Sequence, residues 1–574
     1  MEADDMLHRR TFALVLLAAL VPPPAHATGA QPTRARQGMV ASQHFIASQV
    51  GIEALWAGGN AVDAAVATAF TLAVTHPAAG NLGGGGFLLY RPAKGDPLAY
   101  DFRERAPAGS SPTMFLTDGK YDAKKHHDSH LSVGVPGTVA GLHMAWRAHG
   151  RLPWARLLEP AITLARDGFV VTHGLARSLR AVLPRMKPYP ASVAQFSRRG
   201  VPYEAGDVLQ QPDLAETLER IARRGPAGFY EGRTAELIEK EMKARGGLIT
   251  RADLAAYRAI ERAPLRGTYR GIEVLAMPPI SSGGTALLTM LNVLEGYDLA
   301  AKGFGSADAV HLMAESMRRA FADRARFLGD PEANPDMPIA RLVSKEHAAA
   351  LRATIDLGRA SRSSPDTFEW GGESAETTHL SVVDEERNAV ALTYTLEESY
   401  GSRIVVPGAG FLLNNEMGDF NAGPGLTTAE GLVGTGPNLA RPGQRMLSSM
   451  TPTILARDGK LLMAVGTLGG RTIINTVLQV IVNVVDFGMN VQQAVDAGRF
   501  HHQWLPDRIL YERHSLSPDT VALLRARGHE MKEHEYEGVP TTQGVAQAIV
   551  YDSAALVLEG AADGRAADGA AIGR

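Results

Sequence analysis

The 574-residue chain contains no cysteine, and its charges nearly balance. The lack of thiols excludes disulfide scaffolds, thiolate nucleophiles, zinc ribbons and iron–sulfur clusters. With 58 Lys and Arg against 61 Asp and Glu, the net charge is −3. Because a nucleic-acid-binding protein usually carries a basic excess, we expect no nucleic-acid partner.

Long hydrophobic runs are also scarce. The longest candidate after the N-terminus, residues 473–487, is interrupted by polar residues, so it falls short of the roughly 18 apolar residues of a membrane span. The N-terminus carries Arg9 and Arg10, an apolar run over 12–21, and an A-x-A cleavage site at 25–27. This pattern predicts an export signal over 1–27, no stable membrane insertion, and a periplasmic or extracellular location. An uncleaved anchor is the alternative, and the general and twin-arginine export routes both stay open.

Several catalytic motifs are missing. The chain has no G-x-S-x-G elbow, no S-x-x-K pair, no Walker A loop and no G-x-G-x-x-G, which argues against the serine acyl-enzymes and nucleotide-binding folds that use them. His529 and His534 narrowly miss the H-E-x-x-H spacing, and on a helix they would diverge, so we expect no metal there. The histidines of 126–130 suggest a solvated loop, and His501 with His502 a packed turn.

Hydrophobic patterning divides the chain at a polar stretch, residues 358–376. Before it, helical patterns dominate, including two helices within 44–76, one starting at Pro160 and one over 306–327. After it, strands are predicted at 380–383, 389–396, 410–413, 453–455 and 461–465, followed by a helix over 472–487. Residues 561–574, rich in Ala and Gly, suggest a loose tail or a final turn. Strands mixed with helical layers indicate an α/β or α+β core.

Threonine is the remaining candidate nucleophile. Glu376-Thr377-Thr378-His379 precedes the first strand after the polar stretch, and Thr395 lies on the next strand. Together with Asn414-Asn415-Glu416-Met417, Leu447-Ser448-Ser449-Met450 and further stretches from about residue 38 to the C-terminus, this sequence resembles the γ-glutamyltranspeptidase family. Taken alone, both threonines could be ordinary strand residues, which Thr favours.

The resemblance implies an N-terminal-nucleophile hydrolase with a four-layer αββα sandwich. A precursor of this family cuts itself before a threonine, here between Glu376 and Thr377. The resulting large subunit (28–376) and small subunit (377–574) would form a heterodimer. A freed α-amino group, with a pKa near 7.7–8.0, can then act as the base for the adjacent hydroxyl.

The resemblance also implies roles for individual residues. Thr377 would be the nucleophile and Thr395 would orient it, while Gly469 and Gly470 before a helix would stabilise the oxyanion. Substrate binding is implied for Arg103, Glu397, Glu416, Asp419, Ser448 and Ser449. In isolation, the glycine pair could be a tight turn, and the polar residues could be surface groups.

Three positions depart from the family pattern. Glu397 lies where many members have asparagine, which would make the ammonium pocket more negative. Glu430 lies in the expected lid loop, 421–438, where some members have a tyrosine, so lid gating is open to question. Arg387 replaces a usual hairpin glycine, and we expect it to alter only the turn.

The resemblance favours a γ-glutamyltransferase and glutathione hydrolase that needs no cofactor. It would act on γ-glutamyl compounds such as glutathione and transfer the acyl group to water, amino acids or peptides. A related glutaryl or cephalosporin acylase is the alternative, although such an enzyme need not bind an ammonium group. An uncleaved, inactive γ-glutamyl-binding relative is a third possibility.

Overall fold

A computed structural model describes residues 30–364, 376–426, 428–430, 432, 434–536 and 539–574. Within it, Pro32–Arg574 form one compact unit. The predicted signal peptide and most of the polar stretch before Thr377 lie outside the described residues. None of the helices in the described ranges has both the length and the apolar character needed to span a membrane.

Two seven-stranded antiparallel sheets form the centre of this unit. We number their strands β1 (Thr33–Ala35), β2 (Met39–Ser42), β3 (Gly85–Arg91), β4 (Leu98–Phe102), β5 (Ile260–Arg262), β6 (Leu265–Tyr269), β7 (Ile272–Ala276), β8 (Glu376–Val383), β9 (Ala389–Glu397), β10 (Thr453–Arg457), β11 (Lys460–Leu468), β12 (Val545–Asp552), β13 (Val557–Ala562) and β14 (Ala570–Gly573). The first sheet has the order β5-β4-β3-β9-β8-β2-β14, and the second has β1-β13-β12-β11-β10-β7-β6.

The first sheet is buried on both faces. Leu88 and Tyr90 of β3 pack into a core with the helices outside this sheet, whereas Phe87 and Leu89 join the core shared with the second sheet. Alternate residues of a strand point to opposite faces, and a strand covered on both sides therefore has a continuous apolar run. This explains why all nine residues of β9 are buried.

Helices cover the outer faces of both sheets, giving the four-layer αββα sandwich expected from the sequence. The layer on the first sheet contains Phe45–Trp56, Ala61–Thr75, Thr138–His149, Trp154–Asp167, His173–Met186, Pro190–Phe196, Pro212–Arg224, Ala227–Tyr230, Gly232–Arg245 and Arg251–Ala256. The layer on the second contains Gly283–Leu294, Leu299–Lys302, Ala307–Phe327, Ile339–Leu342, Lys345–Arg352, Thr472–Val485, Val491–Asp496 and Pro518–Ala526.

Shorter elements connect these layers. They are the helix Ala123–His127, the 3₁₀ turns His130–Ser132, Glu416–Asp419 and Gly436–Asn438, and the small strands Leu116–Thr117, Lys120–Tyr121, Phe169–Val170, Ser197–Arg198, Val201–Pro202, Val208–Leu209, Phe500–His501, Ile509–Tyr511, Met531–Glu533, Glu535–Tyr536 and Val539–Pro540. The 3₁₀ turn at Glu416 and the helix ending at His127 both bear on the site below.

Three local predictions are wrong. Pro160 lies inside the helix Trp154–Asp167 instead of starting it, and residues 410–413 contribute only isolated bridges instead of a strand. The C-terminal residues form β14, which pairs with β2, so they are not a loose tail. The segment between His529 and His534, whose spacing is considered above for a helix, contains the strand Met531–Glu533.

Candidate active site

Thr377 lies at an irregularity near the start of β8. Glu376 pairs with Glu397 and Thr378 with Tyr394, so the register of β8 against β9 shifts between them. Such a bulge redirects a side chain out of the regular ladder. The Thr377 side chain is nearly buried, and its Oγ1 donates a hydrogen bond to Thr395 Oγ1 at 3.3 Å.

Thr395 is fixed by the backbone around it. Its hydroxyl accepts a hydrogen bond from the Glu397 N–H at 2.9 Å, and its carbonyl accepts one from Asn81 Nδ2 at 2.9 Å. Asn81 Oδ1 also accepts a hydrogen bond from the Gly84 N–H at 3.0 Å, so Asn81 connects the start of β3 to β9 beside the site. The hydroxyl facing Thr377 therefore has a defined position.

The turn between β11 and the helix Thr472–Val485 lies beside Thr377. Gly469 and Gly470 have φ values of 129° and 55°, in the region that favours glycine. A Cβ on Gly469 would collide with Thr472 Oγ1. The N-terminus of this helix carries the positive end of the helix dipole, which suits the turn to an anion.

One pocket collects almost all the residues singled out from the sequence. It is lined by Arg103, Thr377, Thr395, Glu397, Glu416, Asp419, Ser448, Ser449, Met450, Gly470 and Ile473. Gly469 directly precedes a lining residue but is not itself in that set. Met450 and Ile473 also line the pocket, although their apolar character gives no sign of a site in the sequence.

Arg103 is fully buried and central to this pocket. Its guanidinium forms ion pairs with Glu416 and Asp419 and donates to the Met446 and Leu447 carbonyls at 3.1 and 3.2 Å. Burial would lower its pKa, but the two carboxylates raise it, so Arg103 stays charged. The guanidinium is thus held by carboxylates of the protein itself.

Carboxyl groups outnumber cations here. Glu104, Glu397, Glu416 and Asp419 all lie near Arg103. Burial raises the pKa of Glu104 to about 7 and that of Glu416 to about 8, against the opposing effect of Arg103. A pocket with one arginine and several buried acids favours a ligand that brings its own positive group.

The serine pair and the expected lid flank the pocket. Ser448 Oγ accepts the Met450 N–H at 3.1 Å, and Ser449 Oγ accepts from Arg324 Nη2 at 3.2 Å. The ends of the 421–438 loop are joined by the Asn421 N–H and the Asn438 carbonyl, 2.8 Å apart. Glu430 is exposed on this loop.

The comparisons with known proteins agree with this arrangement. A family model described as gamma-glutamyltranspeptidase matches residues 47–573. The chain belongs to the γ-glutamyltranspeptidase family. A glutathione hydrolase proenzyme of Escherichia coli strain K12 is 49% identical over 519 residues, covering 90% of this chain and 89% of that one.

Two solved structures extend the comparison. The cephalosporin acylase from Bacillus halodurans superposes with a TM-score of 0.82 at 28% identity, covering 97% of this chain and 99% of that chain. The γ-glutamyltranspeptidase of Helicobacter pylori has a TM-score of 0.54 at 42% identity and covers 58% and 94%, respectively. The N-terminal-nucleophile hydrolase fold is therefore common to a transpeptidase and an acylase.

The prediction for the histidines of 126–130, near the site, is wrong. The histidines of 126–130 do not lie in a solvated loop: His126 is buried, with Nε2 3.1 Å from the Met417 carbonyl oxygen. His127 ends the helix Ala123–His127 with Nδ1 3.4 Å from Glu397 Oε1. The local composition suggests that these histidines are solvent-exposed, because their contacts are with residues nearly 300 positions away in the sequence. His501 and His502 are buried, as a packed turn requires.

Proposed function

We propose that this member of the γ-glutamyltranspeptidase family is a γ-glutamyltransferase and glutathione hydrolase. The observation that carries the proposal is the 3.3 Å hydrogen bond from Thr377 to Thr395 in a pocket that also contains Arg103 and several buried acids. A nucleophile, its orienting group and both charges needed for an amino-acid headgroup thus meet in one place.

Maturation comes first in this proposal. After export and removal of 1–27, the chain cuts itself between Glu376 and Thr377, leaving 28–376 and 377–574 as a heterodimer. Cleavage converts the Thr377 amide into an α-amino group, which can accept the proton of the same residue's hydroxyl. The buried Thr395 hydroxyl keeps Oγ1 in place during this change.

The donor is held through its two charges. Its α-carboxylate would bind Arg103 and the hydroxyls of Ser448 and Ser449, and its α-ammonium would bind Glu416 and Asp419. The protein's internal ion pairs are thereby exchanged for pairs with the ligand, so no buried charge is left without a partner. A donor that lacks the ammonium cannot complete this exchange.

The chemistry then follows two steps. Thr377 Oγ1 attacks the γ-carbonyl carbon while the α-amino group takes the hydroxyl proton, and the N–H groups of Gly469 and Gly470 stabilise the oxyanion. The C–N bond breaks as the proton passes to the leaving amine, giving a γ-glutamyl–Thr377 ester. Water or the amino group of an amino acid or peptide then attacks the ester and restores Thr377.

Acylase activity is the second candidate, because the chain superposes closely on a cephalosporin acylase. Its glutaryl-type donors lack the α-ammonium, so they leave Glu416 and Asp419 without a new partner. Turnover of γ-glutamyl-p-nitroanilide and glutaryl-p-nitroanilide by the purified two-chain protein separates the candidates. We expect a higher kcat/KM for the γ-glutamyl compound, and release of glutamate from glutathione; faster glutaryl turnover would reject the proposal.

Asp419→Asn supplies a matched control for that comparison. It keeps the shape of the side chain but removes the charge facing the ammonium. The γ-glutamyl reaction should slow about tenfold or more, as expected for a lost charged hydrogen bond. The glutaryl reaction should change less, and an equal loss for both donors would assign Asp419 a purely structural role.

A further inference from the structure

His127 lies directly behind the donor pocket. Its Nδ1 is 3.4 Å from Oε1 of Glu397, which lines the pocket. Gly418 makes this approach possible, because a Cβ there would lie 2.5 Å from His127 Nδ1 and 2.8 Å from Glu397 Oε1. The 3₁₀ turn Glu416–Asp419 therefore places a glycine where the two side chains need room.

Both side chains have unmet polar atoms. Among the described residues, no hydrogen-bond partner reaches His127 Nδ1 or either carboxyl oxygen of Glu397, and all three atoms are buried. A buried carboxylate without hydrogen bonds is unfavourable and tends to take up a proton. Burial, Asp419 and Glu416 raise the pKa of Glu397 well above its usual value, and burial lowers the pKa of His127 to about 4. Both shifts favour a protonated carboxyl facing a neutral imidazole.

We propose that His127 receives the proton that Glu397 loses when the α-ammonium of a donor enters the pocket. This inference rests on the proposed function, since it requires an ammonium-bearing donor. The O–H bond at Glu397 Oε1 breaks and an N–H bond forms at His127 Nδ1. The ammonium keeps its protons and gains a carboxylate partner, and no proton passes to solvent.

The charges around the pair fit this transfer. Glu397 is faced by Asp419, Glu416, Arg103, Arg403 and Tyr121, and His127 by Glu397, Glu398, Asp128, Arg403 and His126. Arg403 opposes an imidazolium, but it is paired with Asp128 and Glu398, and Arg185 contacts the same two acids. Once Glu397 has ionised, its carboxylate adds a direct partner for the imidazolium.

His127 is thus a positioning residue that acts through Glu397. It lets the pocket remain uncharged at Glu397 when empty and become negative only when an ammonium is present. The consequence is that the ionisation of Glu397 adds no pH dependence to the selectivity for donors with an α-ammonium. A residue with a merely structural role would not affect such a pH profile.

Inhibition by L-glutamate and by glutarate, measured from pH 6 to 8, tests this inference. Glu104 and Glu416, whose pKa values are raised to about 7 and about 8, give the Ki for L-glutamate some pH dependence in the wild type. The Glu397 proton adds nothing to it, because that proton stays within the pair. In His127→Gln, the proton must leave to solvent, so the Ki should fall about tenfold more per pH unit than in the wild type by proton linkage. Glutarate should give the same profile in both proteins, and His143→Gln, on the helix Thr138–His149, serves as the control.

Three outcomes would overturn the inference. They are a wild-type Ki for L-glutamate that falls tenfold more per pH unit than that of Glu397→Gln, a His127→Gln profile equal to that of the wild type, and an extra pH slope in His127→Gln that persists when Glu397→Gln is added. The comparison of the wild type with Glu397→Gln does not use His127→Gln, so the test stands even if His127→Gln folds poorly. Absence of any γ-glutamyl turnover in the wild type would instead reject the proposed function.

Discussion

The Thr395 hydroxyl offers a direct test of how Thr377, the proposed nucleophile, is held. Thr395→Val keeps the side-chain shape but removes the acceptor for Thr377 Oγ1 at 3.3 Å and for the Glu397 N–H at 2.9 Å. The site is nearly buried, so water cannot easily replace the lost partner. Leaving a buried donor without its acceptor is unfavourable by about 1–3 kcal/mol.

If that free energy is lost in the transition state, the rate should fall about 10- to 100-fold. Thr395→Ser is the matched control, because it keeps the hydroxyl and should stay within about threefold of wild type. Gel electrophoresis follows self-cleavage, and turnover of γ-glutamyl-p-nitroanilide gives kcat of the matured protein. Equal rates for Thr395→Val and Thr395→Ser would refute the orienting role.

Further predictions follow from neighbouring contacts. Gly418→Ala should raise KM for γ-glutamyl donors about tenfold, because its Cβ displaces His127 or Glu397. This factor lies within the roughly 1–3 kcal/mol that overpacking typically costs. An unchanged KM would contradict the close approach of His127 to Glu397. Arg103→Lys should raise KM by about 10- to 100-fold, since lysine lacks the planar fork that binds a carboxylate through two hydrogen bonds. Steady-state kinetics with both anilides measure this change. A KM equal to that of the wild type would contradict the binding of the donor's α-carboxylate by Arg103. Burial lowers the pKa of His379 to about 3 from 6.5. The unfolded chain therefore binds this proton as the pH falls below 6.5 while the native state does not, so stability drops on acidification. His379→Gln should reduce that drop in the free energy of unfolding by up to about 1.4 kcal/mol per pH unit. Denaturant unfolding at pH 7 and 5 measures it. The same pH dependence in the variant and the wild type would rule out this contribution of His379.

The sequence predicted those parts of the fold whose signal is local and strong. The apolar run of Ala61–Thr75 is continuous because this helix is buried on all sides. The paired runs of β8 and β9 are continuous because both faces of these strands are buried. The structure shows β14 where the sequence suggested a loose tail, because its strand conformation depends on pairing with β2 at the far end of the chain. Long-range pairing of that kind has no local composition signal.

The same distinction applies to the candidate site. Thr377 and Arg103 were found through motifs of the γ-glutamyltranspeptidase family, and the structure brings them into one pocket. His127 was missed because its contacts with Glu397 and Gly418 cross between distant segments. The sequence also does not predict that Arg103 pairs with Glu416 and Asp419. The family motifs identify each charge only as a contact to substrate.

The central claim is that Thr377 becomes an N-terminal nucleophile. Intact mass and N-terminal sequencing of the purified mature protein test it most directly, with Thr377→Ala as the control that cannot cleave. We expect two chains in the wild type, the smaller beginning at Thr377, and one unbroken chain in the variant. A single unbroken wild-type chain, or a smaller chain that begins at another residue, would contradict it.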